Sequence, residues 1–196
     1  LAATKITKVI VSTDSEEIAE IAQKAGAEVP FIRPDYLSND TATSVDVIIH
    51  SLNFYKSQKT EINNFVLLQP TSPLRTSADI DAAINLHIKR KANSVTSVCE
   101  MEHSPLWSNT LPDNHSMEYF LKPEIVGKRS QDLDKYYRLN GAIYICNVRT
   151  FLKEKTFISK NKSFAYIMKK EHAVDIDDDL DFEFANYLLL KKQNVN

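Results

Sequence analysis

Short β-branched runs alternate with segments whose apolar residues return every three to four positions, and this alternation constrains the fold more than any other feature of the chain. "TKVIVS" (7–12) reads as a strand, and "TDSEEIAEIAQKAG" places Ile18, Ile21, Ala22 and Ala25 at helical spacing, with Asp14 and Glu17 as a capping pair and Gly26 as a left-handed stop. "AEVPFIR" predicts a second strand. Val45, Ile48, Ile49, Leu52 and Tyr55 then mark a helix that Thr43 or Ser44 can cap. "NFVLLQ" is a third strand, Ile80, Ala83, Ile84, His87 and Ile88 a third helix, and "NSVTSVC" a further strand. A βαβ rhythm of this kind favours a mainly parallel sheet flanked by helices, the Rossmann-like class of α/β fold.

From 100 to 136 the pattern loosens. Pro105, Pro112 and Pro123 interrupt it, "MEYFLK" reads as a short exposed strand, and the stretch is long for a connection, so an arm leaving the main body is expected. "LNGAIYICN" restores the regularity. A short helix near "RTFLKE", strands at "SFAYIMK" and "AVDID", and a closing amphipathic helix carrying Leu180, Phe184, Tyr187 and Leu188 follow. At 196 residues and 43% apolar composition the chain can bury the core of one domain. The 24 basic and 26 acidic residues nearly cancel, which removes the electrostatic driver for nucleic-acid or acidic-membrane binding. Cys99 and Cys146 lie in apolar strands without a closely spaced partner motif, so buried free thiols and a reducing cytoplasm are expected. No apolar run is long enough to span a bilayer, and no basic-then-apolar leader precedes the first strand.

Two polar segments stand out. In "LLQPTSPLR", Gln69, Thr71, Ser72 and Arg75 crowd onto a loop stiffened by Pro70 and Pro73, at the carboxyl end of a strand where open α/β sheets bind ligands. An amide and two hydroxyls there suit a polyhydroxylated ligand; equally, Thr71, Ser72 and Thr76 can simply turn the chain and cap the next helix. In "VDIDDDLD", an extended backbone points Asp175 and Asp177 to one face, where they can share Mg²⁺ or Mn²⁺; the same residues also suit a solvated turn opening the last helix. With only Gly26, Gly127 and Gly141, the chain has no glycine-rich phosphate cradle. Its histidines, at 50, 87, 103, 115 and 172, show no metal-ligand spacing, and no nucleophile-elbow signature is present.

Six ordered segments, "VIVSTDSEEIA", "RPDYLSNDTATS", "LLQPTSPLR", "MEHSPLW", "QDL…YYRLNGAIYI" and "VDIDDDLDF", resemble the acylneuraminate cytidylyltransferases over essentially the whole chain. The resemblance implies a nucleotide-diphospho-sugar transferase-like fold that joins CTP to a nine-carbon 2-keto sugar acid. It implies that Asp175 and Asp177 hold Mg²⁺ (or Mn²⁺) and serve catalysis, and that Arg33 and Ser44 contact the nucleotide. Gln69, Thr71, Ser72, Asn140 and Tyr144 would line the sugar pocket, with Gly141 shaping its wall. Residues 103–136 correspond to the family's dimerisation arm, which implies a homodimer whose Phe157 reaches the neighbouring subunit's pocket.

The sequence departs from the family in two places. A strand and a loop of the type A-R-G-G-S-K-G followed by R-K-N, which grips the triphosphate, are not among these residues, and the chain opens at Leu1 in what reads as a connection before the first strand. A single, N-terminally truncated domain over 1–196, inactive by itself, is therefore expected. In "KRSQDL" the arginine expected directly before Gln131 is Ser130, which shifts the substrate-carboxylate role to Arg129. The rival expectations are a cytidylyltransferase for the eight-carbon acid Kdo and a non-catalytic relative that binds sugar nucleotide.

Overall fold

The computed structural model describes residues 2–193, with side chains to 191; Leu1 lies outside them, and the connection that follows it is held by bonds from Thr4 and Lys5 to Asp81. Four strands form one sheet: β1 (Asn64–Leu67), β2 (Ser94–Glu100), β3 (Tyr137–Asn147) and β4 (Ser163–Ile167), in spatial order β1-β3-β2-β4. β2 and β4 pair in parallel, whereas β3 pairs antiparallel with both β1 and β2. Three strands thus share a direction and β3, inserted between two of them, opposes it. The expected mainly parallel sheet is a mixed one. Periodicity could not show this, because β3 is buried on both faces and so carries the continuous apolar run typical of a parallel strand.

Helices cover both faces. α3 (Ser77–Arg90) starts at a capping box between Thr76 and Asp79, and brings Ile80 and Ala83 against Val95, Ile143 and Ile145. α2 (Ser44–Ser57), capped by Thr43, and α4 (Val148–Glu154), capped by Asn147, pack Leu52 and Phe151 against Cys146 and Phe65 on the other face. Alternation along β3 sorts its side chains between these two cores.

Several local expectations are corrected. "TKVIVS" and "AEVPFIR" do run in parallel but touch only at the bridges Ile10–Glu28 and Thr13–Ile32. α1 (Glu16–Lys24) is capped by Ser15, since Asp14 is drawn instead to Arg33. Its supposed inner residues Ile18 and Ile21 are exposed, and only Ala19 is buried. "MEYFLK" forms turns, and "AVDID" joins no ladder. α5 (Asp179–Gln193) buries Ala185 while Leu180, Phe184 and Tyr187 face solvent, so the expected buried stripe is not formed. Both cysteines are free and buried, as expected, and burial pushes the Cys146 thiol up to about 12. No described helix is long and apolar enough to cross a membrane.

Candidate active site

The site begins with an irregularity in β3. The β2–β3 register runs from Thr96 opposite Tyr144 to Val98 opposite Leu139, so Ser97 alone faces the four residues Asn140–Ile143. Such a bulge leaves ladder groups unpaired, and side chains must close them. Ser97 Oγ donates to Asn140 Oδ1 at 2.6 Å and accepts from Ile143 N at 2.8 Å. Ala142 N also donates to Asn140 Oδ1, and Asn140 Nδ2 lies 3.3 Å from Met168 Sδ. Asn140 is 1% exposed. Its amide is spent inside the protein and cannot line a pocket, so its place in the site is to hold the bulge.

The bulge delivers Gly141 with φ +69°, in the left-handed region. A Cβ there would stand 2.8 Å from Gln69 Oε1 and 3.1 Å from Asp175 Oδ2. The amide of the proline-stiffened loop and a carboxylate of the acidic segment therefore converge on one backbone position. Only glycine leaves room for both.

The loop itself divides into an inner and an outer half. Ser72 is wholly buried and donates to Asn140 O, which removes it from the expected ligand-reading set. Arg75 Nη1 donates to the carbonyls of Gln69, Ser72 and Ala142, clamping the loop onto the bulge; burial lowers its pKa from the ordinary arginine value. Thr71 is exposed, and its carbonyl accepts from Ile176 N at 2.8 Å, stitching the acidic segment to the loop. Gln69, Tyr144 and Asp175 are half-buried around this junction. Burial and the neighbouring Asp175 charge raise the Tyr144 pKa. Phe157 lies 5.3 Å from Tyr144 in a tilted arrangement and stacks on Phe151 at the same distance, both within its own chain.

Asp175 Oδ1 is buried and has no hydrogen-bond partner among the described residues. A buried carboxylate oxygen without a donor is costly, and a divalent cation would satisfy it. Mg²⁺ binds through one or two carboxylates supplemented by water and substrate oxygens, so the residues present fit such an ion. Asp177 is exposed at a bend, its N–H bonded to Asp181 Oδ2. No cluster of three or more His, Cys, Asp or Glu side chains occurs among the described residues.

The remaining expected residues lie elsewhere in the contact network. Arg33 binds Asp14 at 2.9 Å and Ser38 at 3.0 Å, Ser44 is an exposed first residue of α2, and exposed Arg129 folds back onto Asp132 at 3.0 Å. None is joined to the Gln69–Asp175 junction by a described hydrogen bond. Sequence reasoning missed Ser97, Asp79 and His172. Thr76-x-x-Asp79 is legible as a capping box. Ser97 and His172 carry no local signal, because their partners are 43 and 93 positions away.

Residues 1–195 match the family model described as "Cytidylyltransferase". The chain belongs to the cytidylyltransferase family. It is 38% identical over 186 residues to the N-acylneuraminate cytidylyltransferase of Escherichia coli O18:K1:H7, covering 94% of this chain and 42% of that protein. It is 31% identical over 194 residues to the CMP-N,N'-diacetyllegionaminic acid synthase of Legionella pneumophila, covering 96% and 80%. This chain thus spans less than half the length of the N-acylneuraminate relative and four-fifths of the legionaminic one. Among solved structures, a CMP:2-keto-3-deoxy-manno-octonic acid synthetase complexed with CTP superposes with a TM-score of 0.64 over 97% of this chain and 84% of that one, at 14% identity. That likeness shows the fold alone, a Rossmann-like α/β fold shared with that synthetase.

Proposed function

We propose that the protein transfers CMP from CTP to the anomeric hydroxyl of a nine-carbon 2-keto sugar acid of the sialic or legionaminic type. The observation that carries this reading is the convergence of Gln69 and Asp175 on Gly141 in a chain whose relatives activate such acids. The anomeric oxygen attacks the α-phosphorus, the bond to the β-phosphate breaks and pyrophosphate leaves. Chemistry of this kind depends on positioning and on neutralising phosphate charge. Asp175, joined by Asp177, would hold Mg²⁺ or Mn²⁺, and the bound ion would offset the charge that develops on the phosphate oxygens.

The chain's own residues supply the geometry. Gln69 offers an amide and Thr71 a hydroxyl to the sugar, Tyr144 walls the pocket, and Phe157 backs Tyr144. Arg75 and Asn140 fix these groups without touching substrate. Arg33 and Ser44 are assigned to the nucleotide and Arg129 to the substrate carboxylate, on the resemblance of their segments. The protein acts as a cytoplasmic homodimer, and residues 103–136 form the contact between subunits. The exposed Leu111, Met117, Tyr119 and Val126 support that arm, as does the hollow of ≈ 480 Å³ lined by Trp107, Met117, Tyr119, Phe120, Leu121 and Val126.

The test is pyrophosphate release by the full chain from CTP and Mg²⁺ with N-acetylneuraminic acid, a legionaminic acid and Kdo offered separately. Release with a nine-carbon acid and not with Kdo is expected. Release with Kdo alone, or with none of them, overturns the reading.

A further inference from the structure

Asp79 is a buried carboxylate, 7% exposed, at the third position of α3. Within the helix start it accepts from Thr76 N at 2.9 Å and Thr76 Oγ1 at 2.6 Å. Its oxygens also reach beyond the helix. Oδ1 accepts from Tyr166 Oη on β4 at 3.1 Å, and Oδ2 lies 2.9 Å from His172 Nδ1. His172 ends the single turn Lys170–His172, and Ala173 beside it is buried in the main core.

Asp175 follows three residues after His172, in a stretch with no ladder to fix it. Its segment is fastened at two points. C-terminal to Asp175, Ile176 N bonds to Thr71 O; N-terminal to it, His172 Nδ1 approaches Asp79 Oδ2 to 2.9 Å, a contact without the alignment of a hydrogen bond. Both anchors are on residues 71–79, the loop and helix start that carry Thr71 and directly follow Gln69. One short piece of chain therefore sets the depth of the carboxylate and the position of the polar loop opposite it.

We propose that Asp79 and His172 are positioning residues for Asp175, and that their contact decides how tightly the site takes a divalent cation. The inference rests on the proposed cation-assisted cytidylyl transfer and names the residues that regulate its metal affinity. Groups that orient a metal ligand without touching the metal commonly change affinity by about 10- to 100-fold when removed. Tyr166 supplies an internal control: it bonds the same carboxylate from β4, away from the acidic segment.

The experiment is a Mn²⁺ titration of the full chain followed by electron paramagnetic resonance, with a thermal melt of every variant. D175N should abolish Mn²⁺ binding. H172A should weaken it by about tenfold or more, and H172N, whose amide nitrogen can replace Nδ1, should restore it. Y166F should melt lower yet bind Mn²⁺ like the unaltered protein. If H172A binds normally while D175N does not, the positioning role is wrong and the metal role stands. Weakening by Y166F equal to that by H172A also overturns positioning, since loss of stability alone would explain both. Normal binding by D175N removes the cation reading itself, and this inference with it.

Discussion

Residues 102–136 and 137–147 are adjacent in the chain and opposite in construction. In the bulged strand nearly every buried polar group is closed by a partner distant in sequence: Ser72 and Asn140 are 68 positions apart, Ser97 and Ile143 46. In the preceding segment the backbone bonds from 104 to 133 are turns over three residues, as from Trp107 N to Ser104 O and from Phe120 N to Met117 O. There the large apolar groups face outward, Tyr119 at 85% exposure and Val126 at 65%. One region is complete within the chain. The other offers the kind of surface that association buries. On the proposed function the bulged strand is a wall of the site, which needs rigid polar geometry, and the segment before it a contact between subunits, which needs apolar area, so substitutions in the two regions should fail in different ways.

The largest effect is expected at Gly141. In Gly141→Ala the new Cβ meets Gln69 Oε1 and Asp175 Oδ2 while the backbone stays left-handed, so both groups must move. Turnover should fall on the order of a hundredfold, as misplacement of about 1 Å can cost that much, and a urea melt should show a far smaller change. Next comes Asn140→Leu, which leaves the Ser97 hydroxyl proton and Ala142 N without their acceptor in the interior. A loss of about 3 kcal/mol in urea unfolding is expected. If that variant is as stable as the original, the bulge is not held by this network.

The arm should respond in the contrary sense. If the proposed dimer forms through this segment, Tyr119→Asp with Val126→Asp should yield monomers in sedimentation equilibrium, yet change the stability of the subunit by no more than about 0.5 kcal/mol. A variant that remains dimeric places the contact elsewhere.

A pH scan sharpens the contrast at the site's edge. Burial opposes ionisation of Asp79, but bonds from Thr76 and Tyr166 and the His172 charge outweigh it and hold the pKa below the ordinary value of 3.8. A depressed carboxylate contributes stability that is present above its unfolded pKa and lost as pH falls through the folded one. Asp79→Asn should therefore flatten the acid limb of the stability curve below about pH 4. The smallest effect is a null one: Cys146, its thiol pushed up to about 12, should resist thiol reagents at pH 8 until the chain unfolds.

Much of the architecture is written in local pattern. Helices α2, α3 and α4 follow from apolar spacing and from the caps Thr43, Thr76 and Asn147. Strand direction is not local, so the insertion of antiparallel β3 could not be read from "LNGAIYICN". The segments that carry Gln69 and Asp175 stand out in the sequence, and the structure brings both side chains to Gly141. Ser72 and Asn140 were assigned to the sugar pocket on the family resemblance, Ser72 also on its hydroxyl, whereas burial turns both inward. Whether a hydroxyl or amide faces a substrate or a bulge depends on long-range packing that no short motif records.

The central claim is that the unpartnered oxygen of Asp175 takes a cation opposite Gln69. A crystal of the Mn²⁺ complex, measured for anomalous scattering, tests it most directly. The account predicts a manganese peak within coordination distance of Asp175 Oδ1, on the side of Gly141 that faces Gln69. A peak elsewhere, or none at saturating Mn²⁺, would contradict it.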